Sequence, residues 1–433
     1  MQSIELFAGG GGLGLGAQLA GAVPQIIVER DRWCCATLRK NGTNEALGWP
    51  EPFEGDIRSF DYNPHSGRID LVTGGPPCQP FSLGGKHKSH DDHRDMWSEA
   101  VRAVRETQPR AFIFENVKGL TRASFSAYFS FITLQLSYPE IIRKLDEAWT
   151  DHLSRLERHH SSGKQIGLQY QVIPPRVLNA ADYGVPQKRE RVFFVGFRND
   201  VAANWAFPKA THSQEALLHA QSTQGTYWDG HRLSRRNPMA SLPISDSTLA
   251  TLQPWRTVRD ALSGLPDPEN KSTEASKFLN HKFQPGARRY PGHTGSPLDV
   301  PAKALKAGVH GVPGGENMMV KDDGKVRYFT IRESARLQTF PDSFVIEGSW
   351  SEAMRQLGNA VPVDLAKVVT SSVISHLRFL NQRKADLAFA PAQDPRQIDR
   401  LLDPRHKSTS GQLEAALAAC GKRTQVVTLD VAA

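Results

Sequence analysis

The sequence predicts an α/β fold with a largely parallel sheet, and three observations on its 433 residues support this fold class. Over the first 120 residues, short apolar runs alternate with helical patterns, which is typical of repeated strand–helix units. A glycine-rich turn directly follows the first apolar run. Beyond residue 199 the alternation fades into segments punctuated by proline and glycine, so a smaller, loop-rich module is expected there.

The individual elements follow in chain order. Strand candidates lie at 3–7, at 25–29, in a short segment that ends at Asp56 and Ile57, at 69–73 and at 111–115. Helix patterns lie at 31–41 and 96–107, a charged amphipathic pattern predicts a helix at 139–160, and strand character returns at 170–178 and 191–197. Thr330, with Glu333 three residues later, predicts a capped helix, and an apolar pattern predicts another helix at 363–380.

The composition is that of an ordinary soluble protein with room for two or more domains, since 39% of the residues are hydrophobic and 23% charged. No apolar stretch approaches the ~18 residues of a membrane span and no apolar leader is visible, so we expect a cytoplasmic location. The four cysteines lack Cys-x-x-Cys spacing, which argues against disulfides and structural zinc, and no metal is expected. Adjacent Cys34 and Cys35 are interpreted as packing residues of a helix.

The charge allows a polyanionic partner without requiring one, because the net charge is +8 and the isoelectric point is near 9.3. Basic residues are mixed with glycine and proline over 198–327, at Arg232, Arg235, Arg236, His281, Lys282, Arg288, Arg289 and Lys303. This composition fits a nucleic-acid-binding surface and a merely solvated face with long loops equally well.

The glycine-rich turn indicates a bound cofactor. Gly9, Gly11 and Gly14 satisfy the pattern G-x-G-x-x-G after a strand, and Glu29 follows at the end of the second strand, where a carboxylate can accept ribose hydroxyls. Glycine allows close approach to the ligand and positive φ angles. Taken alone, the loop fits a nicotinamide or flavin dinucleotide as well as S-adenosylmethionine.

A second chemical signal is the loop at 74–82, which reads Gly-Gly-Pro-Pro-Cys-Gln-Pro-Phe-Ser. Two prolines before Cys78 and Pro80 after it favour an extended, rigid backbone around a single thiol. From the loop alone, Cys78 is either a presented nucleophile or a small buried hydrophobic residue, which is the usual state of a free cysteine.

Six motifs in a fixed order narrow these alternatives. They are Glu-Leu-Phe-Ala-Gly-Gly-Gly-Gly at 5–12, Gly-Pro-Pro-Cys-Gln at 75–79, Glu-Asn-Val at 115–117, Gln-Lys-Arg-Glu-Arg at 187–191, Arg-Glu-Ser-Ala-Arg-Leu-Gln-Thr-Phe-Pro at 332–341 and Gln-Leu-Gly-Asn-Ala-Val-Pro at 356–362. With this set and order, the chain resembles the DNA cytosine-5 methyltransferase family. The resemblance spans residues 3 to about 380, apart from 199–327, the part that the family uses as its variable target-recognition domain.

The resemblance implies a domain organisation. Residues 1–198 and 328–382 are expected to form a Rossmann-like, S-adenosylmethionine-dependent methyltransferase sheet, and 199–327 a smaller, loop-rich target-recognition domain. Residues 383–433 form a tail of unassigned role, with a helix pattern at 412–419.

The resemblance also implies catalytic roles that agree with the chemistry of the reaction. C5 of cytosine is a poor nucleophile, and attack of a Cys78 thiolate on C6 would activate it. Glu115 would protonate N3 as charge develops there, and Arg191, with Arg189 alongside it, would polarise O2. Without the family, the alternative for Glu115 is a strand-end carboxylate satisfied by nearby amides, and the alternative for the arginines is a solvated strand face, although Arg-Glu-Arg alternation puts both arginines on one face. The base that removes the C5 proton is not identified, and a water chain could serve.

The cofactor implied by the resemblance is S-adenosylmethionine, and its site residues follow from the motifs. Phe7, Gly9 and Gly11 match the loop around the methionine part, Glu29 the ribose contact, Asp56 and Ile57 the adenine contact, Pro80 a wall beside the adenosine, and Asn359 and Ala360 the motif that folds back beside the glycine loop. The sequence departs from the family pattern twice. Glu5 replaces the usual Asp, and Arg30 stands where an aromatic or apolar residue often stacks on adenine.

The substrate implied is duplex DNA, from which the cytosine must be flipped into the site. Within 199–327, Arg288, Arg289, His293 and Lys303 are candidates for contacts with phosphates and bases. A monomer that protects DNA from a companion restriction endonuclease is expected. The alternatives are a cytosine-5 methyltransferase of transfer RNA, a nicotinamide-dependent oxidoreductase, which leaves the later motifs unexplained, and a catalytically inactive DNA-binding module, which an intact Cys78 and Glu115 disfavour.

Overall fold

In the computed structural model, the described residues are 1–43, 47–77, 96–164, 167–201, 204–234, 252–270, 273–291, 293–307 and 317–388. The strands of the first 198 residues are β1 (Gln2–Leu6), β2 (Val23–Glu29), β3 (Phe53–Glu54), β4 (Leu71–Gly74), β5 (Ala111–Val117), β6 (Tyr170–Asn179), β7 (Gln187–Lys188) and β8 (Glu190–Arg198). Seven of them form one sheet in the order β3-β2-β1-β4-β5-β8-β6. The sheet therefore matches the predicted α/β class, with every strand candidate found near its predicted position.

The sheet is mixed rather than wholly parallel. Strands β1 to β5 run parallel, whereas β8 is antiparallel to both of its neighbours, β5 and β6. The parallel strand–helix units expected for the first 120 residues are present as β1 to β5, whereas β6 and β8 are antiparallel because the stretch between them is too short for a crossover helix. It holds instead the 3₁₀ turn Ala180–Tyr183 and β7. The result is that Arg191 on β8 lies directly across the ladder from Val117 on β5.

Helices cover both faces of the sheet. They are α1 (Gly12–Leu19), α2 (Arg32–Gly42), α3 (Trp97–Thr107), α4 (Ser126–Ser137) and α5 (Trp149–Ser161) in the first part of the chain. One apolar core joins the sheet to α3, α4 and α5 through Trp97, Phe114, Phe131 and Leu156. A second core lies on the opposite face and joins the sheet to α1 and to a helix from the end of the described chain.

The helix prediction at 139–160 is only half correct. Helix α5 begins at Trp149, and the residues before it form turns, because the Glu147 carboxylate accepts the Lys144 N–H at 2.8 Å and pairs with Arg155. Helix α4 was not predicted at all. Its apolar side chains surround it on most sides, so the sequence has no amphipathic period.

The segment 199–327 holds short elements. They are β9 (His212–Ser213), α6 (Gln214–His219), α7 (Thr226–Gly230), β10 (Gln253–Pro254), α8 (Val258–Leu262), α9 (Thr273–Ser276), β11 (Ser296–Pro297), β12 (Ala302–Lys303) and β13 (Met318–Val320), with β14 (Val326–Tyr328) at its end. It has an apolar cluster around Tyr227, Trp228 and Trp255, which also includes Ala181 of the 3₁₀ turn before β7. It is also tied to the main sheet region, since β12 pairs with β7.

The last described elements are α10 (Ile331–Leu337), α11 (Trp350–Asn359) and α12 (Val363–Ala388). The predicted cap of α10 is confirmed, because the Thr330 hydroxyl accepts the Glu333 N–H and the Glu333 carboxylate accepts the Thr330 N–H at 2.8 Å. Helix α12 packs against α1 in the second core. In the part of the chain that the structure describes, every helix is too short or too polar to cross a membrane.

Candidate active site

The carboxyl ends of β1, β2, β4 and β5 border a cavity of about 1100 Å³. Ligands of open α/β sheets usually bind at this edge. The sequence-predicted site residues that line the cavity are Phe7, Gly9, Glu29, Asp56, Ile57, Glu115, Arg191, Asn359 and Ala360. We distinguish a glycine-loop half, bordered by β1 and β2, from a Glu115 half, bordered by β4 and β5.

The backbone shapes the glycine-loop half. After β1, Phe7 has a φ of 53°, Gly9 of 54° and Gly11 of 86°, so the loop uses left-handed conformations that favour glycine. Gly11 does not line the cavity but lies behind the loop, where a Cβ would meet Trp49 and Leu38 within 3.1 Å. The strained backbone conformation of Phe7 occurs where the chain leaves β1 and begins to line the cavity.

Glu29 holds this loop through backbone amides. One carboxylate oxygen accepts the Gly9 N–H at 2.7 Å, and the other accepts the N–H groups of Arg30 and Asp31 at 2.8 and 2.7 Å. A carboxylate accepts through about four lone-pair positions, so capacity remains for a ligand hydroxyl. The predicted ribose acceptor therefore also fixes the glycine loop.

Asp56 and Ile57 lie beyond β3, on the same side of the cavity. Asp56 begins the 3₁₀ turn Ile57–Ser59, and its carboxylate accepts the Arg58 N–H at 3.0 Å. This hydrogen bond holds the pKa of Asp56 below its usual range, with Arg58 and Arg30 acting in the same direction. A charged carboxylate therefore stands at the rim beside the buried Ile57 side chain.

Asn359 and Ala360 reach the cavity because the later chain packs directly on α1. A Cβ on Gly12 would come within 2.3 Å of the Val361 carbonyl oxygen, and a Cβ on Gly16 within 2.4 Å of the Ala366 side chain. Only glycine allows this approach. The predicted return of this motif to the glycine loop is thus present in the fold.

The Glu115 half contains a buried acid. Glu115 on β5 is only 7% exposed, and its Oε1 lies 2.6 Å from Arg191 Nε. Burial raises the pKa of Glu115, while Arg191 and Arg189 act in the opposite direction. The Arg191 guanidinium also donates to the Glu190 carbonyl at 2.8 Å. This arrangement can hold a proton on a carboxyl group and present guanidinium N–H groups beside it.

Arg189 corrects the sequence interpretation. The expectation that Arg189 and Arg191 share one strand face beside the substrate is wrong, because residue 189 falls in the break between β7 and β8. The Arg189 side chain is fully buried, does not line the cavity, and donates to the carbonyls of Leu305 and Gly358 at 3.0 and 2.6 Å. It ties β8 to the 199–327 segment and to α11, and it acts on Glu115 through its charge.

Cys78 and Pro80 lie outside the described residues, as do Arg235 and Arg236. The described chain before them ends at Pro77, and Gly75, Pro76 and Pro77 all line the cavity. Asn116 Nδ2 donates to the Pro76 carbonyl at 2.9 Å and fixes this segment against β5. The chain that leads to Cys78 is therefore part of the wall of the Glu115 half.

Sequence reasoning missed several residues that line the cavity. Arg355 Nη2 lies 2.9 Å from Asp31 Oδ2, and both side chains contribute to the wall. The buried residues Cys34 and Glu5 also line it. The prediction that Cys34 and Cys35 pack in a helix is confirmed by their burial in α2. The Asp31–Arg355 pair spans 324 residues of sequence, so no local pattern could reveal it.

The cavity fits a cofactor of the size and chemistry of S-adenosylmethionine. Its volume exceeds what a small ligand needs, the Glu29 carboxylate can accept hydroxyls, and six acidic residues line the cavity against four arginines, which suits a cationic ligand. Within the described residues, no group of three His, Cys, Asp or Glu side chains could hold a metal ion.

Comparison with known proteins agrees with this geometry. A family model described as C-5 cytosine-specific DNA methylase matches residues 1–138 and 150–375. The chain is 31% identical to the type II methyltransferase M.PspPI of Psychrobacter sp. over 394 residues, 89% of this chain and 80% of that protein. It is 31% identical to the type II methyltransferase M.Eco47II of Escherichia coli over 387 residues, 88% of this chain and 80% of that protein.

A solved structure shares the fold. The Dnmt2 methyltransferase of S. pombe aligns with a TM-score of 0.51 and 18% identity, covering 88% of this chain and 99% of that chain. Because the family model and the curated relatives cover most of the sequence, a nicotinamide-dependent oxidoreductase is excluded. The chain belongs to the C-5 cytosine-specific DNA methylases, enzymes that transfer the methyl group of S-adenosylmethionine to C5 of cytosine in DNA.

Proposed function

We propose that this enzyme methylates a cytosine flipped out of a specific duplex site, through a covalent bond between Cys78 and C6, and so protects DNA from a companion restriction endonuclease. The observation that carries the proposal is the buried Glu115–Arg191 pair, which shares one cavity with the glycine loop. Such a pair is expected where a neutral base has to be protonated as it is attacked.

Cys78 begins the reaction in this proposal. Its thiolate forms a bond to C6, and the electron pair of the C5–C6 double bond moves through the ring to N3. Glu115 transfers its proton to N3 as that charge develops. S-adenosylmethionine, when bound, supplies a methyl group on a sulfonium as the electrophile for C5. Loss of the C5 proton to a base and expulsion of the thiolate from C6 then restore the C5–C6 double bond, and N3 returns its proton to Glu115, so the aromatic ring, Cys78 and Glu115 are all regenerated.

The environment of Glu115 suits the role of proton donor. Burial raises its pKa, which keeps the carboxyl protonated at higher pH than an exposed one. Arg191 limits this rise and stabilises the carboxylate after the proton has left. Arg191 Nη2 has no hydrogen-bond partner among the described residues, so it is available for O2 of the base. We assign Arg191 to substrate contact and Arg189 to positioning.

The glycine-loop half is assigned to the cofactor. Phe7, Gly9 and Gly11 shape the loop for the methionine part, Glu29 accepts the ribose hydroxyls, and Asp56 and Ile57 contact the adenine. Pro80 is proposed as a further wall, and Asn359 and Ala360 close the site from the later chain. The support is that every described member of this set lines one cavity, except Gly11, which stands behind the loop.

Residues 199–327 are assigned to sequence recognition, with 1–198 and 328–382 forming the catalytic domain. Arg288 and Arg289 are exposed, Lys303 Nζ donates to the Thr294 hydroxyl at 2.8 Å, and the His293 ring lies 4.2 Å from that of Tyr290. Cations and rings of this kind, exposed at Arg288 and Arg289 and half-buried at His293 and Lys303, bind phosphates and base edges. These residues are proposed as DNA contacts.

The biological setting follows from the relatives, which are named type II methyltransferases. A functional partnership with a restriction endonuclease, a monomeric state and a cytoplasmic location are parts of the proposal. Transfer RNA as substrate is disfavoured because the matching family model is described as a DNA methylase and the relatives are named type II methyltransferases.

Two experiments test the proposal. Bisulfite sequencing of DNA from cells that express the chain is expected to show complete methylation of one cytosine in one short sequence, and random or absent methylation would contradict site-specific modification. Duplexes with 5-fluorocytosine at that position should then form a covalent adduct that peptide mass spectrometry maps to Cys78. Methyl transfer by Cys78→Ser protein at the wild-type rate would rule out the covalent mechanism, and Cys420→Ser, in the tail without an assigned role, serves as the matched control with retained activity.

A further inference from the structure

Glu5 is a buried acidic residue that lines the cavity and has no assigned role. It lies on β1 and is only 4% exposed. Its carboxyl group accepts hydrogen bonds from the Thr73 hydroxyl on β4 and from the Gly14 N–H in the first turn of α1. Both partners are neutral. An acid held this way in a dry site strongly favours its uncharged form.

Among the described residues, no cation is paired with Glu5. Behind it, the small void that it also borders is walled by Gly11, Pro24, Ile27, Leu38 and Trp49. The charged residues that line the cavity with it are Glu29, Arg30, Asp31, Arg32, Asp56, Glu115, Arg191, Glu352 and Arg355. None of these is a hydrogen-bond or ion-pair partner of Glu5 in the described part of the chain. Burial accordingly raises the pKa of Glu5 to about 8, with Thr73 and Gly14 opposing the rise.

The position of Glu5 in the sheet relates it to the cofactor charge. Strand β1 lies between β2, which ends at Glu29, and β4, which leads to Gly75 beside Glu115. Glu5 therefore stands at the junction of the glycine-loop half and the Glu115 half. A methyl group that passes from cofactor to base crosses this junction, and the sulfonium that carries it is positively charged.

We propose that Glu5 is the counter-charge of the sulfonium cofactor: it is protonated in the empty cavity and loses its proton when the cation binds. The proposal rests on the cofactor assignment of the glycine-loop half made above. The product, a neutral thioether, offers no such charge, so Glu5 stays protonated in the product complex. Glu5 thereby distinguishes the cofactor from the spent product by charge alone.

The sign of the pH dependence follows from linkage. Because the cation lowers the pKa of Glu5 from about 8, binding near neutral pH releases a proton, and affinity for the sulfonium rises with pH up to about 8. Above pH 9 Glu5 is ionised before binding, and the release disappears. The slope cannot exceed about tenfold in affinity per pH unit for one proton.

Isothermal titration calorimetry of the full chain in two buffers of different ionisation enthalpy measures this proton. At about pH 7, binding of S-adenosylmethionine is expected to release up to one proton more from the wild type than from the isosteric Glu5→Gln variant. Protons released by the ligand itself are the same for both proteins and cancel in this difference. S-adenosylhomocysteine should show no difference between the two proteins. Equal release by wild type and Glu5→Gln, or the same extra release with the thioether, would overturn the proposal.

A second variant keeps the proposal testable if Glu5→Gln protein does not fold. Thr73→Val removes a hydrogen bond that lowers the pKa of Glu5, so cofactor-linked proton release should persist at about pH 9, where it has vanished in the wild type. Unchanged release across pH in Thr73→Val would contradict the role of Glu5. Failure of the wild type to bind S-adenosylmethionine at all would instead contradict the cofactor site itself, so the two failures are distinguishable.

Discussion

The two halves of the cavity are built by different means. In the glycine-loop half, the backbone does most of the shaping, since left-handed residues turn the loop and Glu29 holds it through three amide N–H groups. In the Glu115 half, side-chain charges dominate, with Glu115, Arg191 and Arg189 within electrostatic reach of one another. The comparison teaches that chemistry in the second half should respond to charge and pH, whereas binding in the first should respond to loop geometry.

The largest effect is expected from Glu115→Gln. The amide keeps the shape but cannot give a proton to N3, so methyl transfer should slow by about 10²- to 10⁴-fold. Because Glu115 belongs to the other half, affinity for S-adenosylmethionine should stay within about twofold. Single-turnover methylation and calorimetry measure the two quantities. Unchanged turnover would remove Glu115 from the mechanism, and lost cofactor binding would show that the halves are not independent.

The next effect concerns Arg189, which reaches the Glu115 half only through its charge. In Arg189→Met, Glu115 loses one of the cations that lower its pKa, so the high-pH limb of the pH–rate profile should move to higher pH. The carbonyls of Leu305 and Gly358 lose their donor, which should cost about 1–3 kcal/mol in free energy of unfolding.

Arg189→Lys is the matched control, since it retains the charge with fewer donors. It should keep the wild-type pH profile while still losing stability. If Arg189 had only a structural role, the pH–rate profile would be unchanged in both variants. That result would contradict the claim that the charge of Arg189 lowers the pKa of Glu115.

A smaller effect is expected from Glu29→Gln in the glycine-loop half. An amide group offers one acceptor oxygen in place of two, so the loop loses part of its anchoring, and the Kd for S-adenosylmethionine should rise by about 10-fold. At saturating cofactor, the rate of methyl transfer should stay near that of the wild type. A fall in the saturated rate with an unchanged Kd would reverse the assignment of the two halves.

The smallest effect is expected from Gly9→Ala. A Cβ at Gly9 has open space around it, so any cost comes from the φ of 54° rather than from a clash. That strain is about 1 kcal/mol, or roughly fivefold in cofactor affinity. Ser3→Ala, a buried change on β1 outside the loop, is a suitable control. Full affinity in Gly9→Ala would show that the loop conformation does not limit binding.

The strands and the capped helix could be predicted because their signals are local. Alternating apolar runs define β1, β2 and β5, and Thr330 with Glu333 defines the start of α10. Helix α4 lacked a polar face, and the turns before Trp149 resembled a helix because their charged residues have a helical spacing. The antiparallel course of β8 depends on the length of its connection, which the strand pattern does not contain.

The site was predictable where a motif and a strand end coincide. Glu29 ends β2, Asp56 follows β3, Glu115 lies near the end of β5 and Arg191 lies at the start of β8, and all four line the cavity. The burial of Arg189 could not be predicted, because its partners Leu305 and Gly358 lie 116 and 169 residues away. The Glu5 environment depends in the same way on contacts with Thr73 and Gly14 from separate elements.

The close packing of Gly12 on Val361 has a consequence for synthesis of the protein. A wall of the cavity comes from α11 and Val361, while the glycine loop is among the first residues made. A buried hydrogen bond between Thr37 and Gln356, which are 319 residues apart, likewise joins the early part of the chain to α11. When only the first 340 residues have left the ribosome, the nascent chain therefore lacks a complete cofactor site. The enzyme can modify DNA only after nearly the whole chain has been made and folded.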